Sequence, residues 1–275
     1  MAAFPRPVHF LNFIPFLIVL LSAKADTNVL LTGQTLGFLD KLSYANTGVS
    51  LTLQFNCDLV LYDSHGKLVW HSNTGAFFFR YCNLDFTENG RLVLRDSSGG
   101  QQWISPNSNS QPGKYVAVLR PGGQLSVFGP AVWGVGDGNN SNQMVSYTEN
   151  LRKSSVVYNV LFSGQVLYRN DELSDNGHRF VMTEDCELIL QNSGGVMSWS
   201  TWTKGNGKNC FARLNDRGEL AIRDDGCVSV WSNEVAENVP TGDYVLVMQQ
   251  NGNAVIYGPE VWSTAEPGLI EMPTA

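Results

Sequence analysis

The chain has 275 residues, which suits one large domain or two of ordinary size. Charged residues make up 16% of the sequence, and 27 glycines accompany 9 tyrosines and 7 tryptophans. Few charges, many turns and many aromatic rings indicate an all-β protein with a neutral polar surface. The formal net charge of -7 argues against a nucleic-acid backbone as the partner.

The N-terminus has the pattern of a secretory signal peptide. Arg6 and His9 precede an apolar run over residues 10–21, and residues 23–25 fit a cleavage site with small side chains. A membrane anchor is the alternative, but a run of about 12 residues is shorter than the roughly 20 that span a bilayer. We therefore expect residues 1–25 to be removed and the mature protein to be secreted or vacuolar, without membrane insertion.

The chain repeats itself at an offset of about 130 residues, which indicates two homologous domains. The matched stretches are 29–34 with 160–165, 113–116 with 242–245, and 129–133 with 258–262. We predict one domain over residues 26–134, a linker over 135–157, a second domain over 158–264 and a C-terminal tail over 265–275.

A shorter period of about 33 residues divides each domain into three units. Each unit has a short alternating strand, a turn rich in Gly, Asn or Asp, a return strand and a tryptophan nearby. Because one unit is too small to bury a core, the three indoles of a domain are expected to pack together at a shared axis. These tryptophans are Trp70, Trp103 and Trp133 in the first domain, and Trp199, Trp231 and Trp262 in the second.

Four of the five cysteines fall in nearly matching places in the two domains. Cys57 and Cys82 have almost the same separation as Cys186 and Cys210, which predicts one disulfide in each domain in an oxidising compartment. Cys227 is left over, and we favour a buried thiol over a bond to another chain.

The predicted linker carries the chain's N-glycosylation sequon. Asn139 is followed by Asn140 and Ser141, so Asn139 is a predicted glycosylation site on an exposed loop.

One stretch in the second domain combines amides, an apolar residue and a phenol around an Asn-Gly turn signal. The Asn-Gly pair predicts a tight hairpin that returns the first residue beside the last, giving a shallow pocket for a neutral polyol. Its candidate binding residues are Gln249, Asn251, Asn253, Val255 and Tyr257. The same frame in the first domain gives Gln54, Asn56, Asp58, Val60 and Tyr62.

Both stretches resemble the Gln-x-Asp-x-Asn-x-Val-x-Tyr signature of the bulb-type mannose-binding lectins of monocots. The later stretch has Asn251 where the family has Asp, and the earlier one, with Asn56 and Asp58, exchanges the family's Asp and Asn. The resemblance implies two tandem β-prism II domains, each of three four-stranded sheets with pseudo-threefold symmetry.

The resemblance also implies a function. In the signature, Gln, Asp and Asn bond the 2- and 3-hydroxyls of mannose, Tyr bonds the 4-hydroxyl, and Val packs on the carbon face of the ring. We therefore expect a lectin of plant defence, without a metal ion or other cofactor, that binds mannose or high-mannose or complex N-glycans on glycoproteins. Linker cleavage, possible at Arg152 and Lys153, and assembly into a dimer or tetramer of one or two processed chains are implied in the same way.

The other four units have lost the signature, and long Arg and Glu side chains are expected to fill their pockets. They span residues 87–95, 120–128, 183–191 and 215–223. This loss supports an alternative, a binding-inactive relative that acts as a storage or protein-interaction protein. An enzyme is disfavoured, because no catalytic arrangement surrounds the four histidines.

Overall fold

The computed structural model describes residues 27–38, 40–44, 47–76, 81–107, 111–136, 158–236 and 238–265. The predicted signal peptide, the sequon at Asn139, the Arg152-Lys153 pair and most of the predicted linker and tail lie outside these residues. All regular structure in the described part is β-strand, which confirms the all-β prediction. This part contains no helix with the length and hydrophobicity needed to cross a membrane.

Residues 27–136, called the first half here, contain the first twelve strands. They are β1 (Val29–Leu31), β2 (Thr35–Leu36), β3 (Lys41–Ser43), β4 (Ser50–Leu53), β5 (Leu59–Tyr62), β6 (Leu68–His71), β7 (Cys82–Phe86), β8 (Leu92–Asp96), β9 (Gln101–Ile104), β10 (Val116–Arg120), β11 (Gln124–Phe128) and β12 (Ala131–Val135).

Residues 158–265, called the second half, repeat the pattern. The strands are β13 (Val160–Phe162), β14 (Val166–Leu167), β15 (Glu172–Asp175), β16 (His178–Met182), β17 (Leu188–Gln191), β18 (Met197–Ser200), β19 (Phe211–Leu214), β20 (Leu220–Arg223), β21 (Ser229–Ser232), β22 (Val245–Met248), β23 (Ala254–Tyr257) and β24 (Glu260–Ser263).

The strands form six four-stranded antiparallel sheets, three around each of two cores. The first prism has the sheet orders β3-β4-β5-β6, β2-β7-β8-β9 and β1-β10-β11-β24. The second prism has the orders β15-β16-β17-β18, β14-β19-β20-β21 and β12-β23-β22-β13. Two tandem prisms of three four-stranded sheets are the predicted fold.

The two halves exchange their last strands. β24 pairs with β11 of the first half, where Val127 lies opposite Trp262. β12 pairs with β23 of the second half, where Gly134 lies opposite Val255. Each prism is therefore completed by a strand from the other half of the chain.

This exchange decides which tryptophans meet. Trp262 packs edge-on against Trp70 and Trp103, with ring centroids 6.2 and 5.9 Å away. Three indoles also meet in the second prism: Trp133, Trp199 and Trp231. Three indoles do pack in each core, as predicted, but the assignment of Trp133 to the first core and Trp262 to the second is wrong.

The cysteines follow the sequence analysis with one exception. Disulfides join Cys57 to Cys82 and Cys186 to Cys210, as predicted. Cys227, however, is a free and exposed thiol. It lies in the turn between β20 and β21, where its neighbours Gly226 and Val228 are exposed as well. The expectation of a buried thiol is wrong.

A third core lies between the two prisms. Strand β10 has apolar residues on both faces: Ala117 and Leu119 point into the first prism, whereas Val116 and Val118 join the interface. Strand β22 does the same from the other side, with Val245 and Val247 in that interface. Strands with two apolar faces are typical of sheets that are covered on both sides.

Candidate functional site

The turn at Asn251-Gly252 folds the second-half stretch as the sequence predicts. The Gly252 amide donates to the carbonyl of Gln249 at 3.0 Å, and the Gln249 amide donates to the carbonyl of Asn253 at 2.8 Å. Gly252 has φ of 83°, which a residue with a side chain rarely adopts. The hairpin brings Gln249 back beside Tyr257, so the first and last residues of the stretch meet.

Gln249 and Tyr257 form the floor of the site. The amide Nε2 of Gln249 donates to the phenolic oxygen of Tyr257 at 2.6 Å, and the two residues are only 4% and 3% exposed. Burial raises the pKa of Tyr257 to about 12, against the opposing effect of the hydrogen bond from Gln249. The phenol therefore keeps its proton near neutral pH and can donate it to a ligand oxygen.

The two asparagines and the valine form the mouth of the site. Asn251 is exposed, and its Oδ1 accepts the backbone N–H of Asn253 at 3.2 Å. No described residue hydrogen-bonds the side-chain amide of Asn253. Val255 is half-buried and presents an apolar surface beside them. Hydrogen-bond donors and acceptors together with one apolar wall suit a polyhydroxylated ring.

The first half supplies the opposite wall of this cleft. The cleft has a volume of about 600 Å³, and besides the hairpin it is lined by Leu31, Thr32, Glu88, Pro112, Gly113, Lys114 and Tyr115. We call it the Gln249 cleft. Sequence reasoning missed these residues, because their approach depends on the packing of one prism on the other and leaves no local signal.

The first-half stretch has the same floor but a closed mouth. Gln54 Nε2 donates to the phenolic oxygen of Tyr62 at 2.9 Å, as in the second half. Val60 is only 2% exposed, whereas its counterpart Val255 is half-buried. The apolar surface that a sugar ring needs is therefore absent at Val60.

Asp58 is occupied by contacts within the protein. Its carboxylate accepts hydrogen bonds from His71 Nδ1 at 2.9 Å, from Ser72 Oγ at 3.0 Å and from the Thr74 amide at 3.3 Å. A Cβ on Gly75 would lie 2.9 Å from Nδ2 of Asn56, so this segment runs directly over the hairpin tip. The structure brings all five predicted residues of this stretch together but covers part of them.

Long side chains of three of the other four stretches make contacts within the protein. Arg120 donates to Glu260 at 2.6 Å and stacks on the rings of Phe128 and Phe162, with its guanidinium carbon 5.3 and 4.7 Å from their centroids. In the remaining stretches, Glu187 is buried against Ser200, and Arg223 donates to the Cys227 carbonyl at 3.2 Å.

Comparisons with known proteins agree with this fold and site. No protein-family model matches the chain. Mannose-specific lectin 2 of Colocasia esculenta is 42% identical over 241 residues, which cover 87% of this chain and 85% of that protein. Mannose-specific lectin 2 of Crocus vernus is 39% identical over 249 residues, covering 89% and 90%.

A solved structure matches both prisms together. The fetuin-binding agglutinin of Scilla campanulata, a two-domain lectin, has a TM-score of 0.72 and 27% identity, and the match covers 86% of this chain and all of that one. The chain therefore belongs to the family of monocot mannose-specific bulb lectins, which are β-prism II proteins and not enzymes.

Proposed function

We propose that the protein binds mannose and mannose-containing N-glycans through the Gln249 cleft. The observation that carries this proposal is the buried bond from Gln249 to Tyr257, which leaves the phenolic proton available to an open cleft. The mannose-specific relatives from Colocasia and Crocus support the choice of sugar.

Each predicted residue has a role in this proposal. Gln249, Asn251 and Asn253 bond the 2- and 3-hydroxyls, Tyr257 donates to the 4-hydroxyl, and Val255 packs on the carbon face of the ring. An epimer leaves a partner unpaired in the cleft, and this produces selectivity. Asn251 lacks the charge of the family's Asp, so we expect weak binding of a single mannose.

The Gln54 stretch contributes little binding in this proposal, because Val60 is buried and Asp58 is bonded within the protein. One effective site per chain gives useful avidity only when chains associate, since linked sites raise the effective concentration. We therefore propose a dimer or tetramer, secreted or vacuolar, that recognises glycoproteins in plant defence.

The test is binding of the secreted protein to mannose-terminated glycans with EDTA present. We expect binding that free mannose inhibits, and Tyr257→Phe should lower the affinity about tenfold because it removes one buried donor. The matched control is Tyr62→Phe, which should change the affinity little. Equal losses in both variants would contradict the assignment to the Gln249 cleft. Folded protein that binds no glycan would favour the storage or protein-interaction alternative.

A further inference from the structure

The Gln249 cleft continues into a second cleft along β12, which we call the β12 subsite. We propose that the β12 subsite takes an anionic substituent of the bound glycan, a carboxylate or an acid ester, and that Lys114 is its specificity-determining residue. This inference rests on the proposed function, because it concerns what extends from the mannose ring.

The two clefts share three residues. The β12 subsite has a volume of about 470 Å³, and its lining residues are Lys114, Ala131, Val132, Trp133, Gly134, Val135, Gly136, Asn253 and Val255. Lys114, Asn253 and Val255 also line the Gln249 cleft, whereas Tyr257 lines that cleft alone. A ring packed on Val255 therefore sits at the junction, and a substituent on the side away from Tyr257 enters the β12 subsite.

Lys114 gives the β12 subsite its charge. It is the only charged residue among the described residues that line this subsite, it is exposed, and it forms no ion pair within the described part of the chain. Glu88 lines the Gln249 cleft but not the β12 subsite. An anion in the subsite is thus attracted by the ammonium group and has no carboxylate among its described lining residues.

Two glycines keep the wall of the subsite free of side chains. A Cβ on Gly134 would lie 3.1 Å from Cγ2 of Val255, and one on Gly136 would lie 1.7 Å from Oδ1 of Asn253. A side chain at either position would therefore push against Val255 or Asn253, two of the three residues that the clefts share.

The equivalent site around Arg120 shows how the positions of Lys114, Ala131 and Gln249 look when their charges are paired within the protein. There Asp243 replaces Lys114, Glu260 replaces Ala131 and Arg120 replaces Gln249. The guanidinium of Arg120 lies 2.6 Å from Glu260 and 3.6 Å from Asp243. At the Gln249 cleft the charge at the Asp243 position is reversed, and the positions of Arg120 and Glu260 are held by the uncharged Gln249 and Ala131. Glu88 lines the same cleft but forms no ion pair with Lys114, so the ammonium group is open to an anionic substituent of the ligand.

The experiment compares neutral and anionic probes on the full-length protein by titration. The neutral probes are 2-hydroxyethyl α-mannoside and a mannose disaccharide. The anionic probes are the phosphate and sulfate esters of the first at its hydroxyethyl group, which extends from the anomeric carbon and so from the side of the ring opposite the 4-hydroxyl, and a disaccharide in which mannose is linked through its anomeric carbon to glucuronate. We expect at least one anionic probe to bind about three- to fivefold more tightly than its neutral parent. The anionic probe whose affinity increases shows whether the subsite takes an acid ester or a carboxylate. This increase in affinity should vanish at about 0.5 M salt.

The decisive variant is Lys114→Asp, which introduces the residue that the other half carries. It should reduce the ratio of anionic to neutral affinity to one or below. The matched control is Lys67→Asp, the same change of charge at an exposed lysine that lines neither cleft, and it should keep the ratio.

The outcomes separate the two proposals. Neutral binding without any anionic preference, or a preference that persists in Lys114→Asp, overturns the subsite and leaves the mannose proposal standing. If only an anionic probe binds, and Lys114→Asp abolishes that binding, the subsite is supported and the proposal that neutral mannose alone is bound is overturned. Failure of every probe on folded protein overturns both.

Discussion

Arg120 in the first half and Glu260 in the second form an ion pair of 2.6 Å. Their side chains are only 22% and 21% exposed. The repeat has Gln249 and Ala131 at the two equivalent positions. The stretch that begins at Arg120 is therefore closed by its own cation, whereas the stretch that begins at Gln249 borders an open cleft. Strand exchange creates this contact, because it brings β24, with Glu260, to the edge of β11.

Removing the cation should destabilise the protein. Arg120→Ala leaves the carboxylate of Glu260 largely buried without its partner, and we expect a loss of about 1–3 kcal/mol in the free energy of unfolding. Urea unfolding followed by tryptophan fluorescence measures it. In the double variant with Glu260→Ala the loss should be smaller than the sum of the two single losses. Simple additivity would show that the pair contributes nothing.

Asp58 and Asn253 occupy equivalent positions but should respond differently to alanine. Asp58→Ala removes the carboxylate that accepts hydrogen bonds from His71, Ser72 and the amide of Thr74, so we expect a loss of stability of about 1–3 kcal/mol. Asn253→Ala lies at the cleft mouth and should change stability by less than about 0.5 kcal/mol. It should instead weaken mannose binding about five- to tenfold. Thermal unfolding and mannose titration of both variants give the comparison, and the opposite pattern would refute it.

Cutting the chain in the predicted linker should not separate the halves. Each prism contains a strand of the other half, and the valines of β10 and β22 form a common apolar interface. A protease site inserted in residues 137–157 and then cleaved should give one particle of unchanged mass by native mass spectrometry. Denaturant should release two fragments. Two separate prisms under native conditions would show that the exchange is not maintained after cleavage.

Stability should fall steeply in alkaline solution. The pKa of Tyr257 is raised to about 12, chiefly by burial, so the folded phenol holds its proton where the unfolded one, with a pKa near 10, releases it. The unfolded state therefore binds fewer protons above pH 10, and stability, full below that pH, decreases toward pH 12 by about 3 kcal/mol at most from this group. Burial also raises the pKa of Tyr44 to about 12, with a further contribution from the charge of Tyr158.

Tyr257→Phe should make this alkaline decrease shallower, because the titrating phenol is gone. Urea unfolding at intervals between about pH 9 and 12 measures the slope. Tyr168→Phe, at a residue that is 62% exposed, is the matched control. Identical slopes for Tyr257→Phe and the unmodified protein would rule out Tyr257 as a contributor.

The resemblance to bulb-type lectins implied the prism of three four-stranded sheets. Local patterns in the sequence were enough for the hairpin around Gly252, for both disulfides and for the three units of each half. They succeed because alternation, turn residues and a period of about 33 residues act within one unit, and units of the same kind pack in the same way. The meeting of Gln249 with Tyr257 follows from the turn alone, so the floor of the site was predictable.

Tertiary structure decided which core each last strand joins, and with it the partners of Trp133 and Trp262. Because the halves are homologous, β12 and β24 carry similar patterns and fit either prism, and only the packing between prisms selects one. The same packing brings Lys114 and Asn253 into the lining of both clefts, whereas Asp58 is occupied by His71, Ser72 and Thr74 of its own unit. The sequence by itself determined the units and the floor of the site, and tertiary packing supplied the opposite wall of the open cleft, since the first-half residues that line it are distant in the chain from Gln249.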